Sequence, residues 1–124
     1  MIDFQNGDVF KLHKDRNPRF DCIEPILVPG ETVIESYTSV RDYVVFTDKR
    51  VISVNVQGVT GKRKDYTSLP YKKITVFSIE TSGVIDLDTE LEMYFSGVGR
   101  VRFEFTGGCN IRAIGQAIAK YALD

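Results

Sequence analysis

The chain of 124 residues has no tryptophan, one histidine and two cysteines, and each scarcity removes a class of chemistry. Cys22 and Cys109 lie far apart and form no CxxC pair, so they build neither a zinc site nor a disulfide scaffold. Two free thiols in a cytoplasmic protein are the expectation. His13 stands in an irregular basic stretch and reads as an exposed side chain, whereas a Ser-His-Asp or Cys-His site needs a buried, oriented imidazole. No apolar run approaches the roughly 20 residues that cross a bilayer, so membrane contact is expected only at the periphery. The beginning, MIDFQNGDVF, has neither the basic start nor the continuous apolar stretch of a signal peptide, and no N-x-S/T sequon occurs. A surplus of one charge is missing too: 16 basic residues against 17 acidic ones argue against a dedicated nucleic-acid binder.

What is present suits one soluble domain. Hydrophobic residues make up 43% of the chain and charged ones 27%, enough for a single core without metal or disulfide support. Residues 1–24 are the least regular part and are expected to be weakly structured or a short helix, since Asn17-Pro18 and Pro25 prevent a long one. Residues 25–124 form the expected domain. Past the Pro29-Gly30 turn, β-branched and aromatic runs alternate with turn residues, predicting strands at 31–40, 43–47, 51–57, 64–69, 74–80, 91–95 and 101–105. Pro70 belongs at a strand end, because proline donates nothing to a ladder. After Thr106-Gly107-Gly108 the period changes from two to about 3.6. Ile111, Ile114, Ile118 and Ala122 then share one stripe of a helix capped by Asn110. Such a helix most economically plugs the open end of a small barrel. The expected fold is mainly β: about seven antiparallel strands in two packed sheets, capped by a C-terminal α-helix.

Several spaced words in this order carry a resemblance. They are Arg41-Asp42, Val45-Phe46-Thr47-Asp48-Lys49-Arg50-Val51-Ile52, Gln57-Gly58-x-Thr60-Gly61-Lys62, Pro70-Tyr71-Lys72-Lys73-Ile74 and Phe77-Ser78-x-Glu80-Thr81. Over residues 25–122 the chain resembles the bacterial pleckstrin-homology (PH) domain family. The resemblance implies a PH-like barrel, members of largely unassigned function, and self-association into ring-like homo-oligomers. Two departures are visible. The N-terminal segment does not match the helical leader associated with the family. The long basic loop that serves eukaryotic phosphoinositide binders is here only the connection 39–42, so that head-group site does not transfer.

Three groups of residues are candidates for a site. Lys62, Arg63 and Lys64, with Lys49, Arg50, Lys72 and Lys73, form a positive rim for phosphate or an acidic partner if the strand order gathers these turns. The bland alternative is a solvated turn surface. Gly58-Val59-Thr60-Gly61-Lys62-Arg63 has the wrong glycine spacing, no Ser or Thr after the lysine and a hairpin setting, so it is no P-loop. Asp86, Asp88, Glu90 and Glu92 offer oxygen ligands in principle, but sixth from Asp86 stands Leu91 where a calcium loop needs glycine. A solvent-facing acidic edge is the better reading. No catalytic constellation, metal site or cofactor is expected. The leading expectation is a non-catalytic module that assembles with itself and displays a binding surface to another protein. The alternative is peripheral binding of anionic lipid or phosphate head groups through the basic turn.

Overall fold

The sequences at 43–46 and 51–54 are unbroken apolar runs, the pattern of strands buried on both faces. The computed structural model describes residues 1–5, 10–15, 20–81 and 88–124, and in it both faces of these strands are covered. The elements run β1 (Phe10–Lys14), α1 (Phe20–Ile23), a 3-10 turn (Glu24–Ile26), β2 (Val33–Ser39), β3 (Asp42–Thr47), β4 (Arg50–Gln57) and β5 (Arg63–Pro70). A second 3-10 turn (Tyr71–Lys73) leads to β6 (Ile74–Thr81), β7 (Asp88–Phe95), β8 (Gly99–Thr106) and α2 (Ile111–Ala122). The strands follow the order β5-β4-β3-β2-β1-β8-β7-β6 in one curled sheet. The halves β2–β5 and β6–β8 are both antiparallel meanders, joined through β1.

The mainly β barrel with a C-terminal helix is thus observed, as one curled sheet rather than two packed ones and with eight strands among the described residues rather than seven. The additional strand is β1, which lies antiparallel to β2 and parallel to β8. Residues 1–24, where a weakly structured segment or short helix was expected, contribute both this strand and α1. A five-residue strand, FKLHK, gives too short a pattern for periodicity to show it.

The inward faces of the two halves share one core. Val44, Phe46, Val51 and Leu69 meet Leu91, Met93, Val101, Phe103 and Phe105. Tyr37 stacks edge-on to Phe46 and Phe105, with ring centroids 5.8 and 4.8 Å apart, a geometry that adds about 0.5–1.5 kcal/mol per pair beyond area burial. A second cluster lies on the outside of the first half: Tyr43, Val45, Ile52 and Val54 are covered by Ile23 and Leu27. Residues 22–28 therefore serve as a lid on the outer face of β3 and β4, which explains their continuous apolar runs.

Each end of the barrel has its own closure. At one end α2 buries Ile114 and Ile118, and Asn110 caps it by accepting a hydrogen bond from the Ala113 amide at 3.3 Å. Gly115 permits close approach, since a Cβ there would lie 3.1 Å from Ile79 Cδ1. At the other end residues 1–5 cross the opening. The Met1 ammonium pairs with Asp65 at 2.8 Å, Phe4 enters the core, and Gln5 Nε2 donates to the carbonyls of Val98 and Arg100.

Candidate functional site

The word Thr47-Asp48-Lys49-Arg50 forms the tight turn between β3 and β4, and three of its side chains are committed to holding it. Thr47 Oγ1 accepts from the amides of Lys49 and Arg50, both at 3.0 Å, and donates to Glu31 Oε2 at 2.7 Å. Asp48 Oδ1 accepts from the Thr32 amide at 3.0 Å. The Arg50 guanidinium spreads over Glu31, Ser68 Oγ and the Ile26 carbonyl. Arg50 is therefore a clasp between β4, β5 and the lid segment. Burial disfavours ionisation of the enclosed Glu31, yet hydrogen bonds from Arg50, Thr47 and the Val28 amide outweigh it and hold the carboxyl below its ordinary value. Tyr71 completes the corner: its buried hydroxyl donates to the Thr47 carbonyl at 2.7 Å, and burial, aided by the charges of Asp48 and Glu31, holds its pKa far above the ordinary value and keeps it protonated.

Above this corner lies a cleft of about 320 Å³ lined by Val28, Glu31, Lys49, Arg50, Pro70, Lys72 and Tyr121. Lys49 Nζ is 3.3 Å from the Tyr121 hydroxyl and 5.6 Å from the centre of its ring, an arrangement that favours the charged ammonium. Lys72 and Lys73 project from the adjoining 3-10 turn and are exposed. Tyr121 and Val28 were not legible as lining residues, because only the folded helix and lid bring positions so remote in sequence beside Lys49.

Lys62, Arg63 and Lys64 do not join this group. Arg50 pairs with Pro70 at one end of the β4–β5 ladder, whereas Gln57 pairs with Arg63 at the other. The seven residue steps between them span about 23 Å at about 3.3 Å each. The anticipated single rim is two separate basic groups, one beside α2 and one at the opposite end. There the Gly58–Gly61 turn is closed by a Gly61 amide to Gly58 carbonyl bond of 3.2 Å, with positive φ at both glycines, so the hairpin setting is as read. Arg41 Nη2 donates to the Gly58 carbonyl and ties the β2–β3 tip to this turn.

The acidic residues line a different surface. On β7, Glu92 sits opposite Arg102 of β8 and Glu90 opposite Glu104; the Arg102 guanidinium reaches across to bind Glu90, while Arg100 binds Glu92. Asp88 begins the strand and is exposed; Asp86 lies outside the described residues. Among the described residues no group of carboxylate, histidine and cysteine side chains is arranged to hold a metal ion. His13 is exposed on β1, opposite Thr38. Cys22 and Cys109 are both free thiols, and burial pushes the Cys109 thiol above its ordinary value, disfavouring the thiolate.

The two edges of the sheet differ in kind. β5 carries Arg63, Lys64 and a terminal Pro70, and its Asp65 and Thr67 bind the Met1 ammonium and the Ile2 amide. β6 carries no basic residue and no proline, and nearly all of it past Ile74 is exposed: Val76 by 56% and Ile79 by 37%.

The sequence pattern of the bacterial PH domain matches residues 4–122. The chain belongs to this family. Among solved structures, a DUF1696 family protein with a pleckstrin-homology domain from Shewanella loihica PV-4 is 35% identical, covers 91% of this chain and 98% of its own, and has a TM-score of 0.71. A pleckstrin homology domain from Shewanella amazonensis SB2B is 42% identical over 84% of this chain and 85% of its own, with a TM-score of 0.58. The uncharacterized protein YjqA of Bacillus subtilis (strain 168) is 53% identical over 72 residues, 58% of this chain and 58% of that one. The match to this relative therefore spans less than two thirds of its length. Bacterial PH-domain membership extends to residue 4, and the strand β1 lies within it. No helix of the described residues is long and apolar enough to cross a membrane.

Proposed function

We propose that this bacterial PH domain is a non-catalytic interaction module that assembles with copies of itself through the outer edge of β6. The observation that carries the reading is the contrast between its two sheet edges. A free edge presents a row of unpaired amides and carbonyls, and natural proteins blunt such rows with lysine, proline, bulges or a covering segment. β5 has lysine, proline and a covering segment, whereas β6 has only the register shift between Ile74 and Val76 at its start. β6 has eight residues, ITVFSIET, of high strand propensity, and its one charge, Glu80, lies near its end. Beside it on the outward face, Val76 pairs with Tyr94, which is itself 37% exposed, so an apolar strip accompanies the open ladder. A second copy supplies both a strand and a matching strip. A β6 edge that meets the β6 edge of a second copy is an isologous contact and closes as a two-fold dimer; the ring implied by family resemblance needs a further, head-to-tail contact besides it.

Light scattering after size exclusion tests this directly. The wild type is expected at a discrete multiple of the 14.0 kDa chain mass. Val76→Lys, which places a charge on the strip without touching the core, is expected to run at one chain mass with an unchanged circular dichroism spectrum. A monomeric wild type, or an oligomer indifferent to Val76→Lys, overturns the proposal.

A further inference from the structure

The end of the barrel opposite α2 presents two valines that folding has left in water. Val40, at the tip between β2 and β3, is 96% exposed, and Val59, at the tip between β4 and β5, is 103% exposed. Single exposed apolar residues are ordinary and need no explanation. Three features set this pair apart.

The first is strain. Ser39 pairs with Asp42, so Val40 and Arg41 form a two-residue hairpin turn. Val40 has φ 51°, and it is the one non-glycine residue at positive φ among the described residues. Such tips normally carry glycine, asparagine or aspartate, and a β-branched residue in this conformation is an outlier. The second feature is rigidity: the bond from Arg41 to the Gly58 carbonyl holds the two tips side by side. The third is charge. Lys62, Arg63 and Lys64 follow directly and are exposed. The hairpins' own acids are turned inward. Asp42 accepts from the Val56 amide at 2.9 Å and from Asn55 Nδ2 at 3.2 Å, while Asp65 is bound by the Met1 ammonium and by Thr67 Oγ1 at 2.7 Å.

We propose that this end is a docking surface for an anionic lipid bilayer, with Val40 and Val59 entering the interfacial layer and Lys62, Arg63 and Lys64 engaging lipid phosphates. Fixed convex apolar tips fit a surface that deforms around them, and apolar insertion together with basic flanks is the pairing that stabilises peripheral attachment. The cavity behind the tips, lined by residues including Ile2, Ser39, Asp42 and Asn55, holds about 50 Å³. Ligand pockets run from about 300 Å³ upward, so contact is with the lipid surface and not with a head group drawn into the barrel. This surface is separate from the β6 edge and does not depend on assembly, although an oligomer would present several copies to one membrane.

The test is co-sedimentation of the full chain with vesicles of phosphatidylcholine, with and without phosphatidylglycerol, at low and high salt. Binding is expected only to vesicles containing phosphatidylglycerol, falling with salt as the phosphate contacts are screened. Each basic residue removed is expected to weaken it about fivefold, so Lys62→Ala/Arg63→Ala/Lys64→Ala should abolish detectable binding. Val40→Gly/Val59→Ser is expected to weaken it about tenfold with no loss of thermal stability. Lys72→Ala/Lys73→Ala, at the other end, is the control expected to bind as the wild type does. Absence of wild-type binding overturns the proposal. So does undiminished binding by either the basic or the valine variant, or a loss in the control as large as in the basic triple variant.

Discussion

Arg50 closes on Glu31 with both sides of its guanidinium: Nε lies 2.9 Å from Oε2 and Nη2 3.0 Å from Oε1, around a carboxylate whose side chain has no exposed surface. This pair joins the β3–β4 turn to the segment that covers the outer face of the sheet. Removing Arg50 leaves the enclosed Glu31 charge without its counter-ion, held only by the Thr47 hydroxyl and the Val28 amide. Arg50→Ala is therefore expected to destabilise the fold by about 3 kcal/mol, the low end for breaking such a pair. Urea unfolding at neutral pH measures it. A change of less than about 1 kcal/mol would place the pair among ordinary surface ion pairs and remove the clasp from this account.

The same pair sets a pH dependence. The Glu31 carboxyl is held below its ordinary value of 4.5, its burial being outweighed by hydrogen bonds from Arg50 and Thr47. A lowered folded value means that this stabilisation is complete above the unfolded value and is lost as pH falls through the folded one. Wild-type stability should therefore decline on acidification below about pH 4.5, with Asp65 and Glu90, also held low by their partners, adding to the fall. In Arg50→Ala burial is left without its main opponent, so the Glu31 carboxyl should move up towards its ordinary value. Its contribution to the acid-induced loss then shrinks, and the variant should lose less stability than the wild type on acidification. Parallel declines in the two proteins across that range would contradict the assignment.

These contacts show what was legible in the sequence and what was not. The strand pattern was readable because β7 and β8 alternate strictly, with Leu91, Met93, Phe95, Val101, Phe103 and Phe105 all inward. α2 was readable because its isoleucines recur at helical spacing beside a capping asparagine. Arg50 and Lys49 are neighbours with opposite fates, one bound to Glu31 and the other at an open cleft, and no local pattern distinguishes them. That difference comes from the lid segment, which crosses the sheet only after folding. The division of the basic residues into two groups likewise depended on the length of the β4–β5 ladder. Val40 carried a faint signal, a two-residue connection lacking glycine and asparagine, which is where strain is to be sought.

That strain gives a prediction with an unusual direction. A residue held in a sparsely populated backbone region costs about 1–3 kcal/mol. Val40 makes little compensating contact, being 96% exposed at φ 51°. Val40→Gly relieves the conformation but enlarges the unfolded ensemble, an opposing effect of about 0.5–1 kcal/mol. The net expectation is a gain of about 1 kcal/mol, read as a higher midpoint in thermal unfolding. A lower midpoint would mean that the turn is not strained by its side chain.

Glu80, Glu90 and Glu104 stand directly opposite one another on three adjacent strands, since Glu90 pairs with Glu80 across β6–β7 and with Glu104 across β7–β8. Like charges in register are destabilising, by about 0.2–1 kcal/mol per pair. Arg102 reaches Glu90 and Glu92, but among the described residues no cation is paired with Glu80. Glu80→Gln removes one repulsion while keeping the side chain's shape, and should stabilise the fold by about 0.3 kcal/mol at low salt. Because Glu80 is exposed, the gain should vanish near 1 M salt, where the screening length is about 3 Å. Urea unfolding of both proteins at equal concentration and two salt levels measures the difference. A variant no more stable than the wild type at low salt, or a gain that persists at high salt, would show that the row of glutamates is not held apart by charge.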